Sequence, residues 1–114
     1  MNEQTKPERA AVERPDGILE GVASDTWQAY NAMETTKRRH YELLEILDNK
    51  KKKYNLDPSQ RDKALLASLL KDHDEQVKRF TAASSALKKA DADALMALFA
   101  YIAVLSDAEP QVTH

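Results

Sequence analysis

The chain has 114 residues, no cysteine and a formal charge of −2. That length suits one domain with a modest core, near the size at which oligomerisation often supplies further buried surface. Disulfides, zinc–thiolate sites and thiol chemistry are excluded, and a nearly neutral total argues against bulk coating of nucleic acid.

Between Ser59 and Glu109 there is neither glycine nor proline, and Ala, Leu, Lys, Glu and Asp dominate the chain, so the expected class is all-α. Residues 1–23 mix charges with Pro7, Pro15, Gly17 and Gly21. This composition favours a flexible arm, with Ile18, Leu19 and Val22 as the side chains able to dock it on a core. The N-terminal stretch lacks the apolar run of a secretory leader, and with the missing cysteines this points to a cytoplasmic protein.

Ser24 or Asp25 is expected to cap a first helix over about 25–54. Ala29, Met33, Thr36, His40, Leu43, Leu47, Lys50 and Tyr54 step alternately by four and three, the spacing of a seam between packed helices. The stretch KKKKYNLDP then reads as a hairpin turn. Its cations suit the helix C-terminus, Asn55 tolerates a left-handed conformation and Pro58 disfavours helix at Asp57.

Asp57 is the expected cap of a second helix over about 58–106, with Pro58 in its first turn. Leu66, Leu70, His73, Val77, Phe80, Ser84 and Leu87 carry its seam, which runs on through Asp91, Ala94, Leu98, Tyr101 and Leu105. Two readings stand for its second half: a continuous helix, or a break near 88–93 where Asp91 or Asp93 caps a third helix. The whole is a long antiparallel, coiled-coil-like hairpin in a helical domain over 24–109, followed by a short tail at 110–114.

Three features bear on function. With the turn centred near residue 56, facing residues have numbers that add to 113, which pairs His40 with His73 in one polar layer of the seam and sets Arg39 beside Asp74 and Arg38 beside Glu75. Such a layer specifies register, with a hydroxyl such as that of Thr36 as a further partner; pH sensing and metal binding are its functional alternatives. No cysteine or inward carboxylate completes a metal site, so no metal or cofactor is expected.

The run ALMALFAYIAVL, residues 94–105, is apolar all round but spans only about 18 Å, too little to cross a membrane. By the facing rule a single hairpin leaves it without cover, so Leu95, Leu98, Phe99, Tyr101, Ile102 and Leu105 are the expected interface of a homo-oligomer, a dimer in the simplest case; the alternative is a chain that folds back at Asp91 and buries the run against its own hairpin as a three-helix bundle.

Lastly, residues 48–63 carry six basic and three acidic side chains, and the turn gathers Lys50, Lys51, Lys52, Lys53, Arg61 and Lys63 at one tip, a candidate polyanion site. No Glu-x-x-His pair, phosphate loop, HExxH or nucleophile elbow is present. The sequence therefore points to a non-catalytic protein-interaction module, with nucleic-acid binding at the basic tip as the alternative.

Overall fold

The computed structural model describes residues 14–108, and the expectations for 1–13 and 110–114 lie outside them. Over these residues the chain is all-α, with four helices: α1 (Asp16–Leu19), α2 (Ser24–Tyr54), α3 (Gln60–Ala90) and α4 (Ala92–Ala108). Their described residues fall into two compact units, one of 14–27 with 84–108 and the other of 28–83.

Residues 14–23, read from composition as part of the arm, are built into the first unit. Leu19 is buried at 1% exposure and Ala23 at 0%, in one cluster with Leu87, Ala94, Leu95 and Leu98. Ile18, Trp27, Tyr101 and Ile102 pack against it, while Val22 stays outside. The Trp27 and Tyr101 rings lie 5.7 Å apart, and the Arg14 guanidinium stands over the Trp27 ring. A tight turn joins α1 to α2: a Cβ at Gly21 would sit 2.6 Å from the Gly17 carbonyl oxygen, so only glycine fits there without a backbone shift. The Ala23 carbonyl accepts from the Trp27 N–H at 2.8 Å, which makes buried Ala23 the residue that opens α2, one place before the polar cap expected at Ser24 or Asp25.

At the other end of α2, Asn55 adopts φ 54° and its N–H donates to the Lys51 carbonyl at 2.9 Å, a left-handed helix stop as its side chain and position suggested. The next helix starts later than expected. Ser59, not Asp57, is the cap of α3: its Oγ accepts from the Asp62 N–H at 3.0 Å, and its own N–H donates to Asp62 Oδ2 at 3.0 Å. This reciprocal pair is a capping box with aspartate in the glutamate position. Asp57 remains in the turn and accepts from Lys51 Nζ at 2.8 Å.

The helical run breaks at Asp91, within the expected window. The Asp91 carboxylate accepts from the Ala94 N–H at 3.1 Å and so caps α4. The Asp91 N–H still reaches the Leu87 carbonyl and the Leu95 N–H still reaches Asp91, so the helical phase carries across the break.

In the 28–83 unit α2 and α3 pair as an antiparallel hairpin. Tyr30 and Phe80 rings lie 5.9 Å apart, and Thr36 Oγ1 lies 3.0 Å from His73 Nδ1. The numbers of these pairs add to 110 and 109, three or four fewer than the facing rule assumed, so the register is offset by about one helical turn.

The inward face of α3 also differs. Leu66, Leu69, His73, Gln76, Phe80 and Ala83 are half-buried, whereas Leu70 is 46% and Val77 37% exposed. Both seams share Leu66, His73 and Phe80, and one neighbouring helix covers only one of the two phases that α3 offers.

Candidate functional site

The offset register separates the two histidines. His73 Nδ1 meets the Thr36 hydroxyl, while the His40 ring stands 6.2 Å from that of its neighbour Tyr41. The Thr36 hydroxyl donates to the Met33 carbonyl at 2.9 Å, so its single proton is used and the His73 ring nitrogen is the donor to Thr36 Oγ1. Of the two partners considered for an imidazole, another imidazole or the Thr36 hydroxyl, His73 takes the hydroxyl.

Arg39 and Arg38 do not pair with Asp74 and Glu75. Among the described residues the ion pairs are instead local: Arg14 with Asp16, Lys37 with Glu34, Lys51 with Asp57 and Lys52 with Asp48. With pair numbers near 110, Arg39 is level with Lys71, which has nothing to offer it. Among the described residues no group of three or more His, Asp or Glu side chains is placed to hold a metal ion, and no helix is long and apolar enough to cross a membrane.

The all-round apolar helix is largely covered from within the chain. Leu95 at 7% and Leu98 at 0% exposure belong to the core with Leu19, Ala23 and Leu87, and Tyr101, Ile102 and Leu105 are half-buried. The facing rule assumed a continuous helix running past the start of α2. The docking of residues 16–23, with Trp27, supplies the cover that the rule left out. Of the residues expected at an oligomer interface, only Phe99 is exposed, at 41%; Met96, at 67%, was not among them.

Two surfaces of the hairpin unit remain. Leu44, Leu70 and Val77 each follow an inward residue by one position and precede the next by three, which places them along one edge of an antiparallel pair; Ile46 and Leu65 have the reverse spacing and line the other edge. All five are exposed, Ile46 at 51% and Leu65 at 48%. Sequence reading missed the edges because it spent Leu70 and Val77 on the seam.

The turn forms the second surface. Lys50, Lys53, Arg61 and Lys63 are exposed around it, as are Tyr54 and Leu56. Lys51 and Lys52 are each held by a carboxylate. The Lys51 ammonium bonds Asp57 and holds its carboxyl below the usual range, and the Ser59 N–H does the same for Asp62, helped by its hydroxyl and by Lys50 and Arg61. The tip therefore keeps four of its six cations outside the ion pairs that hold Lys51 and Lys52.

Comparison with protein-family models, with curated proteins and with solved structures gives no match.

Proposed function

We propose that this protein is a small non-catalytic interaction module, and that the Leu44, Leu70 and Val77 edge of its hairpin receives an amphipathic helix of a protein partner. The observation that carries this reading is the exposure of three large apolar side chains in line along a two-helix unit. A pair of helices buries one seam, and an apolar edge beside it has the spacing on which a third helix packs. Lys63 lies seven residues before Leu70 on this edge, and Lys37, paired with Glu34, lies seven before Leu44, so cations flank the apolar groups. The complementary partner is a helix whose apolar stripe is flanked by acids. The absence of cysteine fits a module at work in the cytoplasm.

The test uses tagged full-length protein to retain partners, which are then identified and titrated in purified form. Leu70→Lys with Val77→Lys is expected to abolish the interaction while helicity is kept, because both side chains are already more than a third exposed. A partner bound equally by this variant would refute the edge as the docking surface.

A second reading rests on the tip, where Lys50, Lys53, Arg61 and Lys63 surround exposed Tyr54: phosphates of nucleic acid would be held by the cations, with the ring available to stack. Replacing Lys50, Lys51, Lys52 and Lys53 by Gln would then weaken binding and flatten its salt dependence. Failure of the wild-type protein to bind RNA or DNA at low salt would dismiss it.

A further inference from the structure

The hairpin edge of Leu44, Leu70 and Val77 belongs to a stripe on each helix. Along α2, Lys37, Tyr41, Leu44 and Asp48 follow one another by four, three and four residues; along α3, Lys63, Ala67, Leu70 and Asp74 do the same. Each stripe thus has one order: a cation, two apolar groups, an anion. Its apolar centre is open, with Tyr41 60%, Leu44 38% and Leu70 46% exposed.

A stripe of this order is complementary to its own reverse. A second copy can be laid on the edge about a two-fold axis that crosses α2 between residues 42 and 43 and α3 between 68 and 69. Tyr41 then meets Leu44, Leu70 meets Ala67, Lys37 meets Asp48 and Lys63 meets Asp74. The Tyr30–Phe80 and Thr36–His73 contacts put the two crossing points level to within about two residues, so one axis serves both helices. One turn further out, Lys51 comes level with Glu34, and Val77 with Gln60.

The other charges do not oppose this arrangement. Across the overlap of residues 32–53 and 58–79, Asp62 and Glu75 are the only like charges that come level, and each is turned about 100° off the stripe, in opposite senses from Lys63 and Asp74. A parallel two-fold would also pair the central charges, α2 against α3, but it would put two basic tips side by side. The reversed copy instead sets Lys51 and Lys63 of each tip against Glu34 and Asp74.

We infer that this edge takes a second copy of itself, two 28–83 hairpins joining antiparallel as a two-fold four-helix bundle centred on Tyr41, Leu44 and Leu70. The inference rests on the reading of the edge as a docking surface and names its occupant: Asp48 and Asp74 of the second copy are the acids that flank an apolar stripe. It keeps the expected dimer and moves its interface from α4 to the hairpin. Lys37, Lys51 and Asp48 already hold partners within one chain, whereas Lys63 and Asp74 take no part in those ion pairs and carry the test.

Sedimentation velocity over a concentration series measures the assembly. The wild type is expected to dimerise, and Leu70→Lys with Val77→Lys to raise the dissociation constant at least about tenfold with an unchanged circular dichroism spectrum, the two side chains being 46% and 37% exposed. Lys63→Glu and Asp74→Lys each place like charges across the axis, and each should weaken the dimer several-fold at low salt. Mixed in equal amounts, the two variants should recover it, because each then meets the opposite charge; mixing repairs neither a folding defect nor a parallel pair. A wild type that stays monomeric at about 100 μM would overturn the self-association, while the docking of another protein on the same edge is decided separately by titration of that retained partner. A dimer unmoved by Leu70→Lys with Val77→Lys, or no recovery on mixing, would equally overturn the proposal.

Discussion

Replacing Leu19 by alanine tests whether the segment before α2 is part of the fold. Leu19 is 1% exposed and sits on a four-residue helix against Leu87, Leu95 and Leu98. The change removes three buried carbons, worth about 2.4 kcal/mol at about 0.8 kcal/mol each. The cavity left behind adds up to about as much again if nothing relaxes. Helix α1 is short and anchored by the Ile18 and Leu19 N–H groups on the Pro15 carbonyl, both at 2.9 Å, so it can settle inward and keep the total near about 3 kcal/mol. The companion Val22→Ala, at a side chain 52% exposed, should cost less than about 0.5 kcal/mol.

Urea unfolding at fixed protein concentration provides the measurement, followed both by far-ultraviolet circular dichroism and by fluorescence of Trp27, the single tryptophan, which packs on the same cluster. Circular dichroism reports all the helices, and Trp27 reports the unit that contains Leu19. The fluorescence midpoint of Leu19→Ala should fall the furthest. Equal, small effects of Leu19→Ala and Val22→Ala would show that residues 16–23 do not contribute to the core and would refute the reasoning.

Gly21→Ala should destabilise by about 1–3 kcal/mol, because its Cβ would lie 2.6 Å from the Gly17 carbonyl oxygen and the backbone must move; thermal denaturation beside Gly17→Ala, whose Cβ meets nothing within 4 Å, checks it. Ser59→Ala removes one half of the α3 capping box and should cost about 1 kcal/mol, measured by urea denaturation. The Asp57 and Asp62 carboxyls titrate below their ordinary value in the folded chain, so their contribution is complete above the unfolded pKa of about 3.9 and is lost as pH falls through the lower, folded values. Asp62→Asn should accordingly flatten the fall in denaturation midpoint between about pH 5 and pH 2.5, and an unchanged slope would contradict the assigned cause. Thr36→Val leaves the His73 ring nitrogen without its partner and should cost about 1 kcal/mol, while nitrogen-15 shifts of the wild type should show a proton on Nδ1.

Much of the secondary structure was legible in the chain because its signals are local. Helix-forming residues, the lysines and Asn55 at the end of α2 and the carboxylate of Asp91 act within one or two turns, and helix boundaries follow from them to within a few residues. The misplaced start of α3 was readable in the same way, since Ser59 and Asp62 form a capping box that Asp57 and Pro58 obscured.

What the sequence by itself determined, then, is two long helices at nearly their observed places, a break near 88–93 as one of two readings, and a last stretch apolar on every side; the short α1 was not among them. Register and partnership belonged to the tertiary structure. Leu69 and Gln76 compete with Leu70 and Val77 for one seam, both choices satisfy the same spacing, and only the packing of α2 against α3 selects between them. That selection leaves an apolar edge outside, and the register of the same packing separates His40 from His73. Likewise, Leu95 and Leu98 look equally suited to a core or to an interface, because burial of apolar surface is non-directional. The docking of Leu19 and Ala23 assigns them to the core and leaves Met96 and Phe99 to the surface, since one side of a helix packed on its own chain is the side that a second molecule does not reach.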